Sequence, residues 1–122
     1  MPLLRRSVMK RAGFLAILLL TLPVLAEQPA PALRPDQAPV IDVRSAEEYR
    51  EGHVRDAVHI PYEQIADRIT ATVPNRDTRI VLYCRSGRRA EIAEKALRRL
   101  GYSHVENKGG LEDMRRAGYV TE

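Results

Sequence analysis

Ile80-Val81-Leu82-Tyr83-Cys84-Arg85-Ser86-Gly87-Arg88-Arg89-Ala90 is the stretch on which the reading of this chain turns. Its first four residues form the most apolar run after the leader, short enough for a strand and apolar enough to be buried on both faces. A cysteine closes the run, a glycine and three arginines follow it, and Ala90 to Leu100 carries helical periodicity. The helix is expected to bury Ile92, Ala93, Ala96, Leu97 and Leu100 and to stop at Gly101. Strand, tight loop and helix in this order place Cys84 at the carboxyl end of a central strand, where open α/β sheets bind ligands.

The flanking sequence fits such a sheet. Val40-Ile41-Asp42-Val43 and Ala57-Val58-His59-Ile60 are strand-like, and Pro61 closes the second. Between them Ser45 and Glu48 have capping-box spacing for a short helix ended by Gly52. Tyr62 to Thr70 is a predicted helix with Ile65 and Ile69 on one face. Pro74 to Asp77 is a turn, His104-Val105-Glu106 a last short strand, and Gly109-Gly110 a turn before a helix over Leu111 to Arg116. Strands alternating with helices imply an α/β domain over residues 40–122, with a mainly parallel central sheet flanked by helices.

The other end of the chain reads differently. Arg5, Arg6, Lys10 and Arg11 precede an apolar run from Phe14 to Leu22, and Val24-Leu25-Ala26 follows. Residues 1–26 are therefore expected to be a signal peptide cut after Ala26, which puts the remainder in the periplasm. An uncleaved anchor is the competing reading. The run is shorter than the ~20 residues that cross a bilayer, and Pro23 interrupts its end, so no stable span is expected after cleavage. The arginine pair also resembles a twin-arginine export signal, although the leucine-rich run suits the general route better. Residues 27–39 hold four prolines and read as a flexible lead-in.

The leader also explains the charge. The full chain has 20 basic and 16 acidic side chains, and residues 1–26 hold four of the basic ones and no acidic one. The remainder is neutral, which gives no reason to expect a nucleic-acid partner.

Cys84 is the single cysteine. In an oxidising compartment it has no internal disulfide partner, so it is either buried and inert or present for its reactivity. The loop favours reactivity. A turn that curls round its first residue aims backbone N–H groups at the sulfur, and a helix N-terminus adds positive potential. Together they should stabilise a thiolate at that position. Arg85, Arg88 and Arg89 oppose the helix dipole, an odd choice unless an anion sits among them. Ser86 and Gly87 complete the candidate binding loop, and Gly87 allows its sharp turn. One cysteine and three scattered histidines show no metal-ligand spacing. His53 and His59 read as structural hydrogen-bonding residues, and His104 as a surface strand residue.

These pieces together resemble a rhodanese homology domain: Asp42-Val43-Arg44, Glu48-Tyr49 with Gly52-His53-Val54, Ala57 with Ile60-Pro61, the run Tyr83 to Ala90, Gly101-Tyr102 and Gly109-Gly110-Leu111. The resemblance spans about Val40 to Leu111. It lacks the strand and helix that many such domains place before the Asp-Val-Arg strand. A domain shortened at its N-terminus in this way, behind a signal peptide, is similar to the periplasmic phage-shock protein E type. The resemblance implies a sulfurtransferase without cofactor or metal. The Cys84 thiolate takes the sulfane sulfur of thiosulfate, sulfite leaves, and the persulfide passes its sulfur to cyanide or a thiol. It also places Asp42 and Arg44 in support of the loop, with a purely local salt bridge as the alternative. Export would further imply a periplasmic thiol reductant.

Two other function classes remain to be weighed. Related phosphatases and arsenate reductases place an arginine six residues after the cysteine, and here that position is Ala90. A non-catalytic or redox persulfide-carrier module would share the cysteine and loop, and only kinetics separates it from the transferase.

Overall fold

The computed structural model describes residues 37–122, together with residues 13, 16–18 and 20. The expected leader and most of the lead-in lie outside the described residues. Among the described residues no helix is long and apolar enough to cross a membrane.

Strand β1 (Val40–Asp42) leads to helix α1 (Ala46–Glu51) and strand β2 (Val58–His59). A single 3-10 turn (Tyr62–Gln64) runs into α2 (Ile65–Thr72). Strand β3 (Ile80–Cys84), helix α3 (Arg88–Arg99), strand β4 (Val105–Gly110) and helix α4 (Leu111–Arg116) complete the order. The strands form one sheet in the order β2-β1-β3-β4, and every pair is parallel. The chain thus steps from β1 to one side, then returns to its other side. Consequently the crevice between the carboxyl ends of β1 and β3 is the switch point where such sheets bind ligands.

All five residues of β3 are buried, as a central parallel strand requires. Alternation then divides them. Ile80, Leu82 and Cys84 join the larger core with Ile65, Ile69, Ala93 and Leu97 of α2 and α3. Val81 and Tyr83 face a smaller cluster with Val54, Ala57 and Met114 of α4. The C-terminal segment closes this second side through an antiparallel bridge between Thr121 and Val54.

Several boundaries differ from the sequence reading for local reasons. Helix α3 starts two residues early, because Gly87 turns at φ 94° and caps it directly. Arg88 and Arg89 therefore belong to its first turn rather than to the loop. The buried line of α3 is Ala90, Ala93 and Leu97, and Ile92 lies off it at 50% exposure. The expectation that Ile92 is buried is corrected on that ground. Strand β4 is longer than expected and reaches Gly110, so Gly109-Gly110 is strand end and not a free turn. Strand β2 keeps only Val58 and His59. The Ala57 amide turns back to the Val54 carbonyl, while the Ile60 amide still reaches the Asp42 carbonyl across the strand end.

Candidate active site

Cys84 ends β3 with 1% of its surface exposed. Among the described residues its sulfur accepts one hydrogen bond, from the Gly87 amide at 2.9 Å. The left-handed turn at Gly87 aims that amide back at the sulfur. The first capping bond of α3 runs from the Glu91 amide to the Gly87 carbonyl at 3.0 Å. The amides of Arg88, Arg89 and Ala90 precede it, so the helical ladder leaves them available at the same end. Arg85, Ser86 and Arg88 are exposed around the loop. Among the described residues neither Arg85 nor Arg88 makes an ion pair.

Arg89 is placed otherwise. Its guanidinium makes a two-point pair with Glu48 of α1, at 2.7 and 2.9 Å. Glu48 is held in turn by the capping box, its Oε1 accepting from the Ser45 amide at 3.3 Å. The hydrogen bonds from Arg89 pull the Glu48 carboxyl down to about 2, with burial opposing and Ser45 adding. Reciprocally, Glu48 first, and more weakly the charges of Cys84 and Asp42, raise Arg89 against the effect of burial. Of the three arginines expected to meet an anion, Arg85 and Arg88 are open to it, and Arg89 is tied to a carboxylate.

Asp42 and Arg44 form a buried network on the face of the sheet opposite the Cys84 side chain. Asp42 is fully buried and Arg44 is 6% exposed. The Arg44 guanidinium donates to Asp42 at 2.6 to 3.1 Å and to the Gly52 carbonyl at 2.6 Å. Tyr83 donates its hydroxyl to Asp42 at 2.6 Å and accepts the Val54 amide at 3.0 Å. Burial works against the Arg44 charge, but the hydrogen bonds and charge of Asp42 outweigh it and raise its pKa. Burial, then the Asp42 bond, push Tyr83 upward too, so it remains a donor. The Asp42–Arg44 pair is a buried salt bridge that extends to Tyr83 and the Gly52 carbonyl. It also grips Tyr83, the residue bonded to Cys84.

The histidines serve the same frame. His59 Nε2 meets the Arg44 carbonyl at 2.7 Å, and His53 Nδ1 meets the Tyr49 carbonyl at 2.7 Å. Tyr49 stacks with both rings. His104 is exposed just before β4. Among the described residues no three His, Cys, Asp or Glu side chains gather as a metal site.

The support on the other side of the loop was not singled out from the sequence. Cys84 pairs with Gly110, where the β3–β4 register shifts. The Asn107 side chain donates to the Gly87 carbonyl at 2.8 Å and accepts the Gly109 amide at 2.9 Å. A Cβ on Gly110 would lie 2.1 Å from the Arg85 carbonyl oxygen, so the loop rests directly on the strand end. The Gly-Gly pair was the only visible signal. A cleft of about 350 Å³ lined by Val40, Arg55, Arg79 and Tyr119 lies at the amino ends of β1 and β3, away from Cys84. Asp56 also lines it, and it lies at the opposite end of the sheet from the candidate site.

The rhodanese-like domain family model matches residues 27–117. The chain is a rhodanese-like domain. Among curated relatives, thiosulfate sulfurtransferase PspE of Escherichia coli is 42% identical over 74 residues, covering 61% of this chain and 71% of that protein. Thiosulfate sulfurtransferase GlpE of Pseudomonas savastanoi is 33% identical over 93 residues, covering 76% and 86%. A solved structure described as a rhodanese with anions from E. coli superposes with a TM-score of 0.66 at 36% identity. That match covers 70% of this chain and 98% of the other. In this rhodanese-like domain the cysteine, its capping amide and the two open arginines stand at the sheet's switch point.

Proposed function

We propose that the protein is a periplasmic thiosulfate sulfurtransferase that carries sulfur on Cys84. The observation that carries this reading is the Gly87 amide 2.9 Å from the Cys84 sulfur, at a helix start flanked by the open Arg85 and Arg88. That arrangement suits a thiolate and an incoming dianion. Relatives named thiosulfate sulfurtransferases support the donor.

The Cys84 thiolate attacks the sulfane sulfur of thiosulfate. A Cys84 S–S bond forms, the donor's S–S bond breaks, and sulfite leaves with the bonding pair. Loop amides and arginines stabilise the charge on the departing sulfite and then on the persulfide. Cyanide or a thiolate next attacks the terminal sulfur and leaves Cys84 as thiolate. Splitting the transfer through a covalent intermediate replaces one difficult step with two. Asp42, Arg44 and Tyr83 act from behind, by holding the strand end that presents the sulfur. A phosphatase reading lacks support at position 90, where a buried alanine replaces the arginine it needs.

Initial rates of thiocyanate formation at varied thiosulfate and cyanide test the proposal. Parallel double-reciprocal lines are expected, with turnover abolished in Cys84→Ser. A converging pattern, or a Cys84→Ser variant as fast as the parent, would rule out the covalent cycle. The export reading has its own check. Protein recovered from a bacterial periplasm should begin at Glu27, and an uncut Met1 chain in the membrane fraction would refute it.

A further inference from the structure

Glu48 has a structural task that does not require its charge. In a capping box glutamine serves as well as glutamate. Yet its carboxylate is spent on a two-point pair with Arg89, 41 positions away in sequence. Arg89 is the second residue of α3, two beyond the glycine whose amide meets the Cys84 sulfur. An uncompensated arginine there would add a third open cation to Arg85 and Arg88. A site that must bind one oxyanion and release another gains nothing by binding both more tightly.

We propose that Glu48 is a positioning residue that sets the anion affinity of the Cys84 loop, by holding Arg89 aside and cancelling its charge. The loop then offers an anion two free guanidiniums rather than three, enough to admit thiosulfate and few enough to let sulfite go. The inference rests on the sulfurtransferase reading for its biological meaning, but its physical content concerns only anion binding. The Arg89 pKa is raised chiefly by the Glu48 hydrogen bonds and more weakly by the charge of Cys84, which fits its place at the rim.

The test is calorimetric titration of sulfite into the purified protein and into Glu48→Gln, Arg89→Gln and the double variant, alongside kcat and KM for thiosulfate. Glu48→Gln should bind sulfite about two- to fivefold more tightly, the scale of one partly exposed charge contact. Its KM should fall together with kcat, as sulfite leaves more slowly. Arg89→Gln, which leaves a bare carboxylate at the rim, should bind sulfite more weakly by a similar factor. The double variant removes both charges and should return close to the parent affinity. A purely structural clamp moves every variant toward weaker binding, so a double variant as weak as the singles overturns the proposal. Unchanged sulfite affinity in Glu48→Gln does the same. Should Glu48→Gln fail to fold, Arg89→Lys decides, since it keeps the cation but breaks the two-point pair: it should bind sulfite more tightly, and weaker binding overturns the proposal. If the parent takes no sulfur from thiosulfate, the sulfurtransferase reading fails, while the titration still answers for Glu48.

Discussion

Gly110→Ala should slow sulfur transfer on the order of a hundredfold without unfolding the protein. The added methyl would lie 2.1 Å from the Arg85 carbonyl oxygen and 2.8 Å from its carbon. Ordinary contact begins near 3.4 Å, so the backbone of the Cys84 loop or of β4 must retreat by about an ångström. Crowding of this kind costs about 1–3 kcal/mol where the neighbour is packed. A displacement of that size at the nucleophile costs on the order of a hundredfold in rate. The assay is thiocyanate formation, with thermal unfolding measured in parallel. Gly118→Ala is the control. Its φ of 94° is left-handed, unlike the extended backbone of Gly110, and nothing lies within 4 Å of the added atom, so it should lose stability and keep its rate. A Gly110→Ala protein with parental turnover would refute the idea that β4 positions the loop.

Tyr83→Phe removes the hydroxyl that accepts the Val54 amide and donates to Asp42, leaving a buried donor without a partner. A loss of about 1–3 kcal/mol in denaturant unfolding is expected, and parental stability would remove Tyr83 from the frame. Arg88→Ala should raise KM for thiosulfate several-fold with a smaller change in kcat; an unaltered KM would leave the anion to the loop amides and Arg85. Glu48 supplies an acid dependence. Its folded value of about 2 lies below the ordinary 4.5, so its contribution is complete above about 4.5 and is lost as pH falls toward 2. The pair is partly exposed and screened, so the change is small, and it should vanish from the stability–pH profile of Glu48→Gln.

What could be read from the sequence was what short spacing encodes. The Ser45–Glu48 cap, the buried β3 strand, the turn at Gly87 and the cysteine at a strand end all follow from neighbours a few positions apart. The parallel sheet followed from the alternation of strands and helices. The partners that shape the site are distant in the chain. Glu48 meets Arg89 and Asp42 meets Tyr83 across 41 positions each, and Asn107 reaches Gly87 across 20. No periodicity reports such contacts. Arg89 was grouped with Arg85 and Arg88 in the binding loop, and nothing local in the sequence signalled its bond to the helix-capping glutamate. Ile92 was misassigned for a simpler reason. One residue's offset from Ala93 turns a helical side chain about 100° away from the core line.

The central claim is that Cys84 carries the sulfur, and the intact mass of the protein after incubation with thiosulfate tests it most directly. The parent should gain one sulfur atom on the peptide containing Cys84 and lose it to cyanide as an equal amount of thiocyanate, while Cys84→Ser gains none. A free Cys84 thiol that takes up no sulfur, or sulfur that persists in Cys84→Ser, would contradict the account.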